Sequence, residues 1–373
     1  MIYFDNAATT KLDNEAFEAM KPYLMNDFGN ASQPYSFSRK PKKALKEARE
    51  QIARCINANP DEIYFTSCGT ESDNWAIKGY CTARGFENST IITSSIEHHA
   101  ILNCCSAVEK LGAKIIYLPV NKSGIVERNV LKKTICDGSL VSIMYVNNEI
   151  GSIQNIKELA KIAHDYNCLF HTDAVQAVGH LPIDVKEMNI DMLSASAHKF
   201  NGPKGIGFLY VKNGVNIPSY IDGGSQEKGK RAGTENVASV VGMATALRNN
   251  CVQLEDNIEK IRYLDSLLVN TLKKMKLNFI RNGAPDGIPG NISLSFYEKD
   301  GEQILHLLDL KGYCVSTGSA CDGTKNQVSH VIKAIKVNRK YAKGTIRVSL
   351  SKDNTEKEII QFCNDLNDLL NQL

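Results

Sequence analysis

No uninterrupted apolar stretch in this chain is long enough to span a bilayer. Nor is there a basic, apolar leader. The chain opens Met1-Ile2-Tyr3-Phe4-Asp5, so no membrane association and a cytoplasmic location are expected. No Cys-x-x-Cys pair occurs, which argues against a zinc or iron–sulfur site within the chain; no metal is expected. Internal repeats and low-complexity segments are also missing. The charge excess is small, a formal +3 from 44 Lys and Arg against 41 Asp and Glu. Lys40, Lys42, Lys43 and Lys46 alternate with acids, which reads as a solvated helix face. Direct nucleic-acid binding is not expected.

What is present is length. The 373 residues suffice for one large domain and a smaller one. The eleven cysteines would imply disulfides in a short secreted chain. In a long chain with this opening they imply free thiols in a reducing compartment.

From residue 62 to 212, short β-rich runs alternate with helical patterns. Strands are expected at 62–66, 90–94, 114–120, 140–146, 168–173, 191–196 and 205–212. Ile101, Leu102, Cys105, Val108 and Leu111 mark a helical stripe. Asn155 with Glu158 reads as a capping box opening a helix over 156–166. Alternation of this kind implies a large, mostly parallel sheet covered by helices, an α/β class. Such sheets bind ligands beyond the carboxyl ends of their strands. A long helical stretch is expected over 234–276. A second, smaller α/β region follows, with strands at 291–296 and 345–351 and helices at 302–310 and 355–373. The last helix carries Ile359, Ile360, Cys363, Leu366, Leu370 and Leu373 on one side, a docking face. The expected division is 16–258 for the large domain, and 1–15 with 259–373 for the small one. The first dozen residues are expected near the junction.

Several strand ends carry chemistry. Lys199, in Ser194-Ala195-Ser196-Ala197-His198-Lys199, can bond covalently to an aldehyde. Asp173, upstream at another strand end, can hold a pyridine nitrogen protonated. Together they suit an enzyme of pyridoxal 5′-phosphate, although Asp is also a good helix cap. Gln176 is placed to reach a ring hydroxyl. Phe65-Thr66-Ser67-Cys68-Gly69-Thr70 is a strand running into a small-residue turn and a helix. The turn is either an ordinary cap or a phosphate cradle of backbone N–H groups and the Thr70 hydroxyl. Glu97-His98-His99 supplies a ring for stacking or proton transfer, or a structural histidine; spacing does not choose between His98 and His99. Asn147-Asn148-Glu149 is a turn, or amides for a ring hydroxyl or a substrate carboxylate. Arg347, in Thr345-Ile346-Arg347-Val348-Ser349, is a surface charge or a bidentate carboxylate clamp. Cys321 sits in a small, polar, glycine-flanked segment over about 316–330. Cysteine prefers burial, so a thiol placed there reads as a nucleophile.

In this order the pieces resemble a cysteine desulfurase, a pyridoxal-phosphate enzyme of fold type I (aspartate aminotransferase-like). The resemblance runs nearly end to end. It is carried by Tyr3-Phe4-Asp5-Asn6-Ala7-Ala8-Thr9-Thr10, Phe28-Gly29-Asn30, Gly69-Thr70-Glu71-Ser72-Asp73-Asn74, Glu97-His98, Val146 to Gly151, Asp173 to Gln176, His198-Lys199, Gly202-Pro203-Lys204-Gly205, Arg231 to Asn236, Gly318-Ser319-Ala320-Cys321 and Ile346-Arg347. The form around Cys321 resembles class I, the nitrogen-fixation and iron–sulfur-assembly type.

The resemblance implies roles. Lys199 joins the cofactor and moves the α-proton. His98 stacks on the ring, Asp173 pairs with its nitrogen, and Gln176 and Asn148 reach its hydroxyl. Gly69, Thr70, Ser196 and His198 bind the phosphate, with Thr234 supplied from the other subunit of a homodimer. Asn30, Asn148 and Arg347 bind the substrate, L-cysteine. Cys321 takes the sulfur as a persulfide and passes it to an acceptor protein. The departures are Gln33-Pro34-Tyr35 where a histidine is usual, Ser38-Arg39 for Gly-Arg, and Asp322 where Ser or Thr is usual. A carboxylate beside Cys321 disfavours its thiolate, with Lys325 as an offset. The last helical pattern ends at Leu373, without the tail that relatives feeding an iron–sulfur scaffold often carry. Iron–sulfur assembly, transfer-RNA thiolation and DNA phosphorothioation all remain open. A selenocysteine lyase or aminotransferase of the same fold is the first alternative. A non-catalytic partner-binding scaffold is the second.

Overall fold

The computed structural model describes residues 1–318 and 328–373. Among them are twelve strands: β1 (Ile2–Tyr3), β2 (Ile63–Thr66), β3 (Thr90–Ser94), β4 (Lys114–Leu118), β5 (Leu140–Ser142), β6 (Leu169–Asp173), β7 (Met192–Ser196), β8 (Gly207–Val211), β9 (Phe279–Asn282), β10 (Asn291–Phe296), β11 (Tyr313–Cys314) and β12 (Thr345–Ser349). The helices are α1 (Asn14–Met25), α2 (Arg39–Cys55), α3 (Gly69–Arg84), α4 (His99–Glu109), α5 (Arg128–Thr134), α6 (Ile156–Asp165), α7 (Val237–Val252), α8 (Leu254–Lys274), α9 (Gly301–Leu310), α10 (His330–Ala334), α11 (Arg339–Ala342) and α12 (Glu356–Gln372).

Seven strands form the large sheet, in the order β2-β8-β7-β6-β5-β3-β4. The pairs β3–β4, β3–β5, β5–β6 and β6–β7 are parallel, and β8 is antiparallel to both of its neighbours. Neighbouring residues on a strand feed different cores. Val141, Leu193 and Phe208 enter a cluster with Ile52, Phe170 and Met243. Leu140, Met192 and Leu209 enter another with Trp75, Tyr80 and Ile101. Side chains on a strand alternate between faces, so the sheet is covered on both. Full burial of each large apolar side chain is worth roughly 1.5–3 kcal/mol.

A third core belongs to the last third of the chain. A three-stranded sheet, β12-β10-β9, is packed with α8, α9 and α12 around Leu268, Ile292, Ile346 and Phe362. Phe4 joins that core and meets Phe362 edge-on at 5.3 Å between ring centres. The first residues thus return to a core built from the last ones. β1 pairs with β11 in parallel, and Asn6 donates its N–H to Ser349 O at 3.2 Å.

Some expectations shift by a few residues. The helical stretch 234–276 breaks at Gln253 into α7 and α8, and residues 231–236 are not helical. Because α8 begins at Leu254, the division expected between 258 and 259 lies within its first turns. The strand expected over 140–146 ends at Ser142, although Ile143 and Tyr145 still donate to His171 O and Asp173 O. Leu111 falls beyond α4 and is 59% exposed, because the chain turns at Gly112 with φ +107°. The two-residue strands β1 and β11 and the half-exposed β9 have no sequence signature of their own.

Candidate active site

The carboxyl ends of β2, β3, β6 and β7 open onto one cavity of about 370 Å³, within the range of small-molecule sites. Gly69, Thr70, His98, Asn148, Asp173, Gln176, Ser196, His198, Lys199 and Arg347 all line it. The sheet explains the convergence. Parallel strands end on one side, and each of these residues ends a strand or lies in the turn after it. Arg347 and Asn148 are the exceptions: Arg347 comes from β12 of the small sheet, and Asn148 from a turn six residues beyond β5.

Lys199 ends a short 3₁₀ turn after β7. Its Nζ donates to the carbonyl oxygens of Ala7 at 2.7 Å and Ala8 at 2.8 Å. The turn itself is pinned. His180 Nε2 donates to Lys199 O at 2.8 Å, and Asn250 Nδ2 donates to Phe200 O at 2.8 Å. Gln176 Nε2 also donates to Ala7 O, at 3.0 Å. The N-terminal segment therefore lies against both polar groups.

Asp173 ends β6 and is buried, with Oδ1 accepting the Val175 N–H at 2.9 Å. Burial pushes its carboxyl up, while His98, the Val175 N–H and Lys199 oppose the shift. A cation bound beside it favours its ionised form further. His98 caps α4: its Nδ1 accepts the Ala100 N–H at 3.1 Å, which assigns the proton of the neutral ring to Nε2. Burial lowers the His98 pKa; Asp173 opposes this and Lys199 adds to it. His99 lines the cavity too, 5.0 Å from the His330 ring.

Beneath these lies a buried polar layer. His171 is fully buried between Ser142 Oγ at 2.8 Å and Ser194 Oγ at 3.0 Å, and burial pushes it down to about 3. Asp73 Oδ1 sits 3.8 Å from His171 Nε2 and has no hydrogen-bond partner among the described residues. Burial and the nearby Asp173 charge hold the Asp73 carboxyl well above the usual range. Glu97 is also fully buried. Burial pushes it up to about 8, against hydrogen bonds from Ser94 Oγ (2.6 Å) and the Met144 N–H.

The residues fit pyridoxal phosphate. Gly69 opens the 16-residue α3, whose first N–H groups have no helical acceptor and form an anion site. A Cβ on Gly69 would stand 2.5 Å from Val175 Cγ2, so only glycine lets this turn approach the turn after Asp173 so closely. Thr70, Ser196 and His198 line the same cavity. His198 Nδ1 lies 3.1 Å from Thr9 Oγ1, and its pKa is pushed down to about 4 by burial and then by Lys199 and Lys204. An amine for an aldehyde, a buried carboxylate for a ring nitrogen and a cradle for a phosphate thus share one cavity.

On the opposite wall, Arg347 is buried. Its Nη1 donates to Asn148 O at 2.9 Å and its Nη2 to Asp5 Oδ1 at 2.7 Å. Its Nε has no partner among the described residues. The hydrogen bonds described for Asn148 use its backbone carbonyl, which also accepts from Asn291 Nδ2 at 3.0 Å. Glu149 accepts from Ser329 Oγ at 2.6 Å. A Cβ on Gly318 would stand 2.1 Å from its Oε2, so both described flanks of residues 319–327 lie against this carboxylate.

Two expected residues lie elsewhere in this chain. Asn30 turns its Oδ1 to the Ser32 N–H at 2.9 Å, and Thr234 is exposed. Their loops meet each other through Ser32 Oγ and Glu235, 3.4 Å apart. Cys321, Asp322 and Lys325 lie outside the described residues. Of the other ten cysteines, all free, Cys136 is exposed and Cys68 lines the cavity, so packing does not account for those two. Sequence reasoning gave no role to Asp5, Asp73, Glu97 or the Ala7 and Ala8 carbonyls. The first three stand in matched segments, whereas backbone carbonyls leave no residue-type signal.

With this geometry in hand, the comparisons are consistent. The aminotransferase class-V family profile matches residues 2–362. Cysteine desulfurase IscS of Dictyoglomus turgidum is 48% identical over 360 residues, covering 96% of this chain and 91% of the relative. A solved NifS-like protein superposes with a TM-score of 0.94 at 36% identity, covering 100% of both chains. A structure described as SspA in complex with cysteine gives 0.85 at 34% identity, covering 95% of this chain and 100% of that one. The chain belongs to the class-V aminotransferase family, a pyridoxal-phosphate-dependent fold, with IscS- and NifS-type cysteine desulfurases as its relatives.

Proposed function

We propose that this protein is a pyridoxal-phosphate-dependent cysteine desulfurase, converting L-cysteine to L-alanine and taking the sulfur on Cys321. The observation that carries this reading is the meeting of Lys199, Asp173, His98 and the Gly69-Thr70 turn at one end of a parallel sheet, facing Arg347. The relatives are named for this reaction, and the solved SspA structure is described with cysteine bound.

When bound, pyridoxal phosphate supplies an electron sink for the substrate carbon. This chain's groups do the rest. Arg347, with Asn148 beside it, takes the substrate carboxylate. Asp173 holds a negative charge at the ring nitrogen. His98, whose Nδ1 is taken by the Ala100 N–H, stacks on the ring, and Gln176 reaches its hydroxyl. Lys199, drawn off Ala7 O and Ala8 O, takes the Cα proton and later returns it to carbon. The Cys321 thiolate attacks the substrate sulfur. The S–S bond forms as the Cβ–S bond breaks, and the bonding pair stays on carbon, which is protonated to give alanine. The persulfide on Cys321 then passes its outer sulfur to an acceptor protein. That step regenerates the Cys321 thiolate; the Asp322 carboxylate beside it slows persulfide formation near neutral pH until a partner binds.

Further parts of the reading are a homodimer in which Thr234 reaches the partner's phosphate site, two domains meeting in α8, and a cytoplasmic location. Exposure of Thr234 and of the paired rings of Phe28 (68%) and Phe37 (46%) supports the first. The separate cores around β7 and β10 support the second. Ten unbridged cysteines support a reducing compartment. Among the described residues no helix is long and apolar enough to cross a membrane.

The test is product analysis. Purified holoenzyme given L-cysteine and a reducing thiol should release alanine and sulfide in equal amounts. A keto acid in place of alanine would identify an aminotransferase. Turnover confined to selenocysteine would identify a lyase. No turnover with bound cofactor would point to a scaffold.

A further inference from the structure

Arg347 is already occupied by a carboxylate. Asp5 Oδ1 accepts from its Nη2 at 2.7 Å, with the two side chains only 19% and 8% exposed. Both residues line the cavity. A second nitrogen, Nη1, is committed to Asn148 O, and Nε is buried without a partner among the described residues. The backbone of Asp5, by contrast, carries the local fold. Its carbonyl accepts from the Ala8 N–H at 3.0 Å and from Tyr3 Oη at 3.0 Å, and the residue bridges to Ser349. The turn therefore does not depend on the carboxylate.

We propose that Asp5 is a resident carboxylate that occupies Arg347 until the α-carboxylate of the amino-acid substrate takes its place, which makes Asp5 a residue that sets the affinity for carboxylate ligands. This inference rests on Arg347 being the substrate clamp. Two carboxylates on one guanidinium in a partly desolvated site repel each other, so binding one weakens the hold on the other. A ligand lacking a carboxylate has nothing to exchange for the Asp5 contact and leaves the pair closed; Asp5 thus tunes the affinity for α-carboxylates and leaves that for small thiols and amines unmoved. Asp5 also starts the turn whose Ala7 and Ala8 carbonyls hold Lys199 Nζ.

The test compares wild-type and Asp5→Asn holoenzyme in steady state, with L-cysteine as substrate and L-alanine as inhibitor. Asn keeps the shape and removes the competing charge. The KM for cysteine and the Ki for alanine should both fall by about three- to tenfold, the order of one partly desolvated charged hydrogen bond, with a smaller change in kcat. Constants that rise together, or do not move, overturn the proposal and leave Asp5 as a mere support for Arg347. A crystal structure of the wild type with L-alanine bound tests the same point without a variant. The Asp5 Oδ1 to Arg347 Nη2 contact should open beyond hydrogen-bond distance, and an intact contact overturns the exchange. Arg347→Lys separates the two levels: a KM for cysteine unmoved in that variant sinks the clamp itself, whatever Asp5→Asn shows.

Discussion

The two walls of the cavity are built on different principles. One is the end of the seven-stranded sheet, where Thr70, His98, Asp173 and Lys199 each follow a buried strand within a few residues. The other comes from distant parts of the chain: Arg347 on β12, Asp5 from the N-terminus and Asn148 from a turn, joined by hydrogen bonds across more than 190 residues of sequence. The first wall is fixed by local strand–turn geometry, and in the proposed reading it handles the cofactor. The second stands on the small core around Phe4 and Phe362, and in the proposed reading it handles the substrate. Changes on the first wall should therefore act on chemistry, and changes on the second on binding.

The largest effect tests the first wall. Lys199→Ala should lower kcat by about a thousandfold or more, because it removes the group that moves the proton. It should also abolish the visible absorbance of the lysine-bound cofactor. An unchanged spectrum would mean that the cofactor is held elsewhere. Asp173→Asn should cost about a hundredfold in kcat with KM little changed, as expected when a fixed charge beside the reacting system is lost. A purely KM effect would erase the distinction between the walls. Arg347→Lys should raise the KM for cysteine about ten- to hundredfold, since ammonium cannot replace the bidentate fork. A drop in kcat alone would assign Arg347 to the chemistry instead.

Strand ends are the part that sequence reveals. β3, β7 and β10 lie within a residue of where alternation and apolar runs put them, and the residues after β2, β3, β6 and β7 gather in one cavity. The second wall is legible only as isolated motifs. Nothing in Tyr3 to Thr10 announces that the Ala7 and Ala8 carbonyls will receive Lys199, because backbone acceptors carry no residue type. Nor does periodicity place a break at Gln253, where the cap between α7 and α8 is backbone to backbone. Asn30 and Thr234 do not line the cavity that Lys199 and Arg347 share, so no strand-end pattern gives them a place.

The layer beneath the first wall predicts a pH signature. His171 titrates near 3 when folded and near 6.5 when unfolded. The unfolded chain therefore binds the extra proton, and stability falls as pH drops from about 6.5 toward 3. Glu97 runs the other way. Its folded value of about 8 lies above the usual carboxylate value, so its contribution is present at low pH and is lost as pH rises through about 8. Glu97→Gln should flatten the alkaline side of a denaturant-melt profile by roughly 2–3 kcal/mol between pH 6 and 9. An unchanged slope would mean that Glu97 ionises normally.

The smallest effect belongs to the second wall's foundation. Thr355→Ala removes the capping box of α12, in which Thr355 and Glu358 satisfy each other's backbone N–H. It should cost about 1 kcal/mol of stability and leave the absorbance of the bound cofactor unmoved. A shifted spectrum would show that the two halves do not separate as described.

The central claim concerns where the sulfur goes, and mapping it is the most direct test. Holoenzyme is incubated with one equivalent of L-cysteine without reductant, alkylated, digested and read by mass spectrometry. The prediction is one persulfide sulfur on Cys321, formed in step with alanine, and neither product at wild-type rate in Cys321→Ala. Wild-type alanine formation in Cys321→Ala, or a persulfide carried by Cys68 at the cavity wall instead, would contradict it.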